Sequence, residues 1–229
     1  MNFICPEWPV PAKVRSLITT RHGGVSLPPF DTFNLGIHVG DEAEHVMANR
    51  KRLLAHLPDM PKWLNQVHGR KVVDLDNEAV LEGDAAFTRK TNVVCAILTA
   101  DCLPVLFSGK DTVGAAHAGW RGLAAGILEE TVLKMGGAEQ AYLGPAIGQN
   151  AFEVGEEVLE AFPGERSAFV KRTRWHADLY RIARMKLESI GVKQIHGGNY
   201  CTFDEASRFY SYRREGKTGR IGSFIWLED

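Results

Sequence analysis

The chain has 229 residues, of which 45% are hydrophobic, so it can bury a substantial core, and we expect one domain over residues 1–229. Its formal net charge of −1, with no strongly basic arm, argues against sequence-independent electrostatic binding of nucleic acid. The first residues lack a signal-peptide pattern, and no stretch holds the ~18 continuous apolar residues of a membrane span. We therefore expect a cytoplasmic protein that has no membrane partner.

The cysteines are too few and too widely spaced for a disulfide scaffold, and a reducing compartment would keep them as thiols. Each is therefore a packing residue, a metal ligand or a nucleophile: Cys5, Cys95, Cys102 and Cys201.

The first third of the chain is predicted to form a strand, a loop, a helix and further strands. A short strand is predicted over 16–20, followed by a long loop rich in turn formers, and long ordered loops are often functional. From Asp41, a candidate N-cap residue, the apolar spacing predicts a helix that ends before Pro58. Strands over 63–69 and 71–76 follow.

The rest of the chain mixes strands and helices. Apolar, β-branched runs predict three successive strands and then a helix closed by a glycine, over 92–100, 103–107, 112–118 and 122–136. The remaining elements are a strand over 140–147, helices over 153–162 and 177–191, a strand over 193–203, a loop or short helix over 205–216 and a terminal strand over 218–227. Because strict βαβ alternation is missing, we expect an α+β layered fold rather than a doubly wound sheet.

Two histidines and a cysteine lie at the ends of predicted strands, beside small or turn-forming residues. They are His68 in NQVHG, Cys102 in ADC and His117 in AAHAG, and His196 in QIHGG has a similar setting. The first three are far apart in sequence, so only the fold can bring them together. The closely spaced ligand pairs of a zinc finger are missing from this sequence.

A metal centre is one interpretation of this set. Two imidazoles and a thiolate suit Zn²⁺, and three protein ligands leave a fourth position for water or substrate. Because Cys102 follows Asp101, we expect no positive neighbour to lower the pKa of the thiol, whereas a metal would deprotonate it. The other interpretation is structural, since a Cys in an apolar strand is usually a small buried hydrophobe.

A series of short motifs, in order from about Thr19 to Leu227, closely resembles the YfiH family, which is also called polyphenol oxidoreductase laccase or peptidoglycan editing factor. The motifs are TRHGGVS, FNLGIHVGD, NQVHG, GDAAFT, TADCLPVLF, AAHAGWRG, LGPAIG, FEVGEEV and FYSYRREGKTGRIGSFIWL. Strings of this length and number are specific. They imply a fold, a ligand set and an activity.

The resemblance implies a domain with mixed sheets in α/β/β/α layers and a zinc held by His68, Cys102 and His117. The family's activity is phosphorolysis of adenosine, inosine, guanosine and methylthioadenosine, together with adenosine deamination. The expected partners are therefore a purine nucleoside and phosphate, while the oligomeric state is not predicted. The laccase name makes copper the other metal to consider.

Several residues near the motifs suit these reactions. Deamination at such centres usually uses a carboxylate for proton transfer, and Asp101 or Asp84 would supply it. Phosphorolysis needs an anion clamp, for which we predict Arg21 and Arg121, the latter at a helix start. Base or ribose hydrogen bonds are predicted for Asn34 and Gln66, although Asn34 also suits an Asx turn. Stacking on a purine is considered for Phe30, Phe33, Trp120 and Tyr210.

Other functions remain open from the sequence. Cys102 could be a nucleophile with His117 as its base, which would make the protein an amidohydrolase. A peptidoglycan precursor could be the substrate of such an enzyme or of the zinc centre. Copper-dependent oxidation of phenols needs further His-rich ligands. A structural zinc domain, finally, predicts a closed site with a fourth ligand such as His196 or Cys201.

Overall fold

The computed structural model describes residues 2–229 and contains three β-sheets with helices on two sides. The strands are β1 Phe3–Ile4, β2 Val14–Thr19, β3 Lys62–Trp63, β4 Val72–Asp74, β5 Ala85–Thr88, β6 Cys95–Thr99, β7 Leu103–Ser108, β8 Val113–Ala118, β9 Gln140–Leu143, β10 Glu153–Val154, β11 Phe169–Lys171, β12 Trp175–Ala177, β13 Gln194–Gly197 and β14 Ile221–Leu227. The α-helices are α1 Ala43–Leu53, α2 Trp120–Ala125, α3 Ile127–Met135, α4 Glu156–Glu160, α5 Leu179–Ser189 and α6 Tyr212–Glu215, with 3₁₀ turns at Leu54–His56 and Arg166–Ala168.

Two mixed sheets form the centre of the fold. One has the order β1-β2-β14-β6-β3, the other has the order β13-β9-β7-β8-β5-β4, and a small sheet β10-β12-β11 lies apart from them. Parallel pairs such as β3 with β6 and β4 with β5 occur beside antiparallel ones. This architecture confirms the predicted α+β fold with mixed, layered sheets, whereas the single domain over 1–229 stays a prediction.

The side chains of β6 and β14 explain why two sheets stack. Alternate residues of a strand point to opposite faces. In β6, Cys95 and Ile97 belong to the core cluster between the two sheets, together with Leu106 of β7. Ala96 and Leu98 belong to a different cluster on the outer face, where α1 contributes Leu53. Both faces of the five-stranded sheet are therefore covered.

The outer face of the six-stranded sheet packs against helices. Val105 and Phe107 of β7 share a core cluster with Ile127 and Leu128 of α3 and with Ile182 of α5. The order is thus α1, five-stranded sheet, six-stranded sheet, and then α2, α3 and α5. The chain crosses from one sheet to the other in the short turn between β6 and β7, at residues 100–102.

The structure corrects several element predictions. The helix predicted over 153–162 is helical only over Glu156–Glu160 and is preceded by strand β10, and the helix predicted from Asp41 has Glu42 at its N-cap position with no side-chain cap. The strand predicted over 63–69 ends at Trp63, because the N–H groups of residues 67–69 bond to a side-chain carboxylate and not to a neighbouring strand. The helix predicted over 122–136 begins at Trp120 and is divided at Gly126, whose φ of 87° is left-handed and ends the first helix. Among the described residues, no helix combines the length and apolarity that crossing a bilayer requires.

Candidate metal centre and cavity

Three predicted ligands meet at one edge of the stacked sheets. His68 lies in the loop after β3, Cys102 lies in the β6–β7 turn, and His117 lies in β8. Their ligand atoms are all within 4.8 Å of one another. The two imidazole rings meet edge to face, with 4.7 Å between their centroids. The fold therefore assembles the set that the sequence could only propose.

Asp84, just before β5, holds two of these residues in place. Its buried carboxylate accepts hydrogen bonds from the backbone N–H groups of Val67, His68 and Gly69 at 3.2, 2.8 and 2.7 Å. It also accepts from Nδ1 of His117 at 2.8 Å, which leaves Nε2 of that ring free to act as a ligand. Burial alone would raise the pKa of Asp84, but the bonds from His117 and Gly69 lower it. Asp84 is therefore a positioning residue.

The backbone at the centre is held in uncommon conformations. His68 has a φ of 60° and Asp101 has a φ of 86°, both in the left-handed region that residues other than glycine rarely adopt. The three N–H groups that converge on Asp84 fix the first of these turns, and such concave sets of N–H groups bind anions well. Strained residues of this kind cluster at functional sites.

Cys102 and His117 shift each other's protonation. Burial would raise the pKa of the Cys102 thiol, but the charges and hydrogen bonds of His117 and His68 outweigh it and lower the pKa. Burial would likewise lower the pKa of His117, but the Cys102 thiolate and Asp84 raise it. The sequence-based expectation that this thiol has no positive neighbour is wrong, because both imidazoles approach it from other parts of the chain.

The donor set and the space around it fit a metal ion. Neutral imidazole nitrogens and a thiolate are the ligands of catalytic Zn²⁺ sites, and copper accepts the same donors. Gly119 leaves room beside them, since a Cβ there would lie 2.9 Å from Sγ of Cys102 and 3.7 Å from Cδ2 of His68. Within residues 2–229 this is the group that forms, with no fourth protein ligand. An open position is typical of catalytic sites rather than structural ones.

A cavity of about 470 Å³ opens onto the three ligands. This volume lies in the usual range of small-molecule sites. Its walls combine apolar residues with three arginines, and they are formed by His38, Gln66, His68, Leu98, Thr99, Ala100, Asp101, Cys102, His117, Gly119, Trp120, Arg121, Ile147, Phe152, Leu179, Tyr212, Arg213 and Arg220.

Three more predicted site residues lie on this wall. Asp101 accepts hydrogen bonds from Oγ1 of Thr202 at 2.6 Å and from the backbone N–H of Arg213 at 2.7 Å. Gln66 uses both ends of its amide on the backbone of Leu98, at 2.9 and 2.8 Å. Arg121 is exposed and lies over the Trp120 ring, 4.3 Å from its centroid.

Arg21 and Asn34, the other predicted substrate ligands, are not on the cavity wall. Arg21 pairs with Asp31 at 3.3 Å and with Glu215 at 2.9 Å. Asn34 is buried, and its Oδ1 accepts the backbone N–H of Gly36 at 2.9 Å, as an Asx turn requires. Their polar atoms are thus used within the fold.

Of the aromatic residues considered for stacking, Trp120 lines the cavity, whereas Phe30, Phe33 and Tyr210 are buried elsewhere. His196 and Cys201 are not part of the ligand group.

Sequence reasoning did not assign His38 or Arg220 to the site. Burial and the nearby Arg220 charge lower the pKa of His38. Both residues lie in motif segments, FNLGIHVGD and KTGRIGSFIWL. Their position in these motifs was the one sequence feature that could have assigned them to the site. Tyr212 and Arg213, which lie in the motif FYSYRREGKTGRIGSFIWL, also line the cavity.

Comparison with known proteins places this geometry in a family. A family model described as multi-copper polyphenol oxidoreductase laccase matches residues 15–228. A purine nucleoside phosphorylase of Pseudomonas aeruginosa is 52% identical over 239 residues, which cover 99% of each chain. Purine nucleoside phosphorylase YfiH of Escherichia coli is 51% identical over 240 residues, again with 99% of each chain covered.

Solved structures agree with these sequence matches. A Neisseria meningitidis protein superposes with a TM-score of 0.94 and is 45% identical, with both chains covered completely. YlmD from Geobacillus stearothermophilus has a TM-score of 0.87 at 31% identity, covering 95% of this chain and 93% of its own. The chain therefore belongs to the multi-copper polyphenol oxidoreductase laccase family, the family of YfiH.

Proposed function

We propose that this protein is a metal-dependent purine nucleoside phosphorylase of the cytoplasm. The observation that carries the proposal is the cavity of about 470 Å³, which is lined by His68, Cys102 and His117 together with three arginines. Relatives about half identical over 99% of their length bear the name purine nucleoside phosphorylase. A cavity with an apolar wall and unpaired cations suits a purine base and an inorganic anion.

In the proposed reaction, an oxygen of phosphate forms a bond to C1′ of the ribose. The bond between C1′ and the purine nitrogen N9 breaks, and its electron pair leaves with the base, which then takes up a proton. The cavity holds both reactants in contact, which converts a bimolecular reaction into an effectively unimolecular one. Arg121 neutralises part of the phosphate charge from the rim, while Trp120 offers its ring face to the base.

In this proposal, the metal and the residues around it have separate roles. Asp84 orients His117, and its bonds to residues 67–69 orient His68, so that both rings face Cys102. Zinc bound there, with copper as the alternative, would supply Lewis-acid chemistry and activate water for adenosine deamination. Asp101, which also lines the cavity, is the proposed proton carrier for that second reaction.

The test supplies inosine and phosphate to zinc-loaded protein and measures ribose 1-phosphate. We expect product from the wild type and at least a hundredfold loss in His68→Ala, Cys102→Ala and His117→Ala. Cys5→Ala, which removes an exposed thiol outside the site, is the matched control and should keep full activity. Unchanged turnover in all three ligand variants would rule out a role of the metal centre in the reaction. Adenosine, guanosine and methylthioadenosine are then compared as substrates, with inosine formation reporting deamination.

A second candidate function has an observation of its own. Cys102, His117 and Asp84 form a chain in which the thiol pKa is lowered by an imidazole that a carboxylate orients. This is the arrangement of a cysteine nucleophile with its base, and it suits an amidohydrolase acting on a peptidoglycan precursor. Chelation and thiol alkylation separate the two functions. Activity that survives complete metal removal but not alkylation of Cys102 would favour the amidohydrolase.

A further inference from the structure

Arg220, immediately before β14, is the least exposed of the three arginines on the cavity wall. Its Nη1 donates to the backbone oxygens of Thr218 and Gly219 at 2.9 and 3.0 Å. Among residues 2–229, no other hydrogen-bond acceptor engages the guanidinium, and no carboxylate lies within 4.0 Å of it. Arg220 is partly buried, and a guanidinium that is partly removed from water without a counterion destabilises the fold, so a bound anion would offset that cost.

The rest of the cavity does not supply that anion. The guanidinium groups of Arg121 and Arg213 also have no carboxylate within 4.0 Å among the described residues. Of the residues that the structure describes, Asp101 is the only acidic one lining the cavity, and it already accepts from Thr202 and from the backbone of Arg213. Burial lowers the pKa of Arg220, and Cys102 and Asp101 only partly oppose this. The cavity therefore has an excess of positive charge for an anionic ligand to neutralise.

The FNLGIHVGD segment holds Arg220 in position. Oδ1 of Asn34 accepts the backbone N–H of Arg220 at 2.9 Å, and the N–H of Leu35 donates to the Arg220 oxygen at 3.2 Å. Gly36 leaves room for the side chain, because a Cβ there would lie 2.9 Å from Cγ of Arg220. The segment 34–36 thus fixes the backbone of Arg220 and leaves space for its side chain.

We propose that Arg220, positioned by Asn34 and Gly36, is the principal binding residue for the phosphate that attacks the nucleoside. This inference rests on the proposed phosphorolysis and names the subsite for its inorganic substrate. The unpaired Nε and Nη2 atoms of a guanidinium suit two oxygens of one phosphate. Arg220 and Cys102 line the same cavity, so the phosphate would be held in the cavity that contains the metal ligands.

The test measures the binding of inorganic phosphate to zinc-loaded protein by calorimetry, without nucleoside. Arg220→Gln should weaken phosphate binding about ten- to hundredfold, the usual worth of a hydrogen bond to a charged group. Arg181→Gln, which removes the same charge from the exposed surface of α5, should bind phosphate as the wild type does. Equal phosphate affinity in Arg220→Gln and the wild type would overturn the proposal, as would a wild type that binds no phosphate.

A second variant keeps the charge and moves it. Gly36→Ala retains Arg220 but forces its stem away, so phosphate affinity should fall there too, whereas Gly164→Ala, with open space around its Cα, should have no effect. If Arg220→Gln does not fold, the phosphate affinities of Gly36→Ala and Arg220→Lys are compared with that of the wild type instead.

Failure of the phosphate subsite and failure of the proposed phosphorylase give different results. Arg220-dependent phosphate binding without ribose 1-phosphate formation would refute only the phosphorylase, and normal turnover with an unchanged KM for phosphate in Arg220→Gln would refute only the subsite.

Discussion

Asp84→Asn tests the claim that one buried carboxylate organises the centre. The carboxylate accepts from four N–H groups: one oxygen faces His68 N and His117 Nδ1, and the other faces Val67 N and Gly69 N. An asparagine amide has one oxygen and one NH₂ group, so in either orientation two donors lose their acceptor. A hydrogen bond to a charged group contributes about 1.5–3 kcal/mol, so we expect the loss of two such bonds to lower the free energy of unfolding by about 3–6 kcal/mol.

The two orientations of the asparagine have different consequences for the metal. If the NH₂ group faces Nδ1 of His117, the ring must carry its proton on Nε2, which then cannot act as a ligand. If the NH₂ group faces Gly69, the loop that presents His68 loses its anchor instead. Either way we expect zinc affinity to fall about 10–100-fold, the usual effect of removing such an orienting partner.

Urea unfolding of metal-free protein measures the first effect, and competition with a chromophoric chelator measures the second. Asp111→Asn is the matched control, because Asp111 is exposed and pairs with Lys13 at the surface. It should leave zinc affinity unchanged. Wild-type stability together with wild-type zinc affinity in Asp84→Asn would refute the positioning role.

Three further outcomes follow from the geometry of the centre. Gly119→Ala should lower zinc affinity about tenfold, because its Cβ would lie 2.9 Å from Sγ of Cys102 and overpacking costs about 1–3 kcal/mol. Gly164→Ala, where the added Cβ meets nothing, should not. In metal-free protein, thiolate absorbance at 240 nm, taken as wild type minus Cys102→Ala, should titrate near pH 6 and not near 9, since the imidazoles lower the thiol pKa to about 6. Gln66→Ala should lower the free energy of unfolding by about 1–3 kcal/mol, measured in urea, because both backbone groups of Leu98 lose their partner.

Each of these has an outcome that contradicts it. Equal zinc affinities in the two glycine variants would mean that the ligands can move aside freely. A titration midpoint near pH 9 would show that the imidazoles do not lower the pKa of the Cys102 thiol. A Gln66→Ala protein with wild-type stability and a raised KM for inosine would return Gln66 to the role of a substrate ligand.

The sequence predicted those parts of the fold and site that depend on local pattern. Continuous apolar, β-branched runs located β6, β7 and β8, and small residues at their ends marked Cys102 and His117. The division of one predicted helix at Gly126 was missed, because a single glycine inside a helical pattern is usually tolerated and only the left-handed backbone there ends α2.

What the sequence could not predict depends on contacts between distant segments. The role of Asp84 requires that the 67–69 loop and His117 both reach it, and nothing beside Asp84 in the chain indicates this. Arg21 and Arg220 look alike as sequence, each next to a glycine-containing turn. They differ because Asp31 and Glu215 neutralise the first, while the second has no such partner among the described residues.

The crossing of the chain between the two sheets links metal uptake to the order of folding. His68 follows a strand of the five-stranded sheet, His117 belongs to the six-stranded sheet, and Cys102 lies in the connection between them. A chain that has formed only one sheet can bring two of the three donors together, and tight chelation needs all three. Metal capture is therefore a late event, and a tightly held ion would mark a molecule in which both layers have already docked.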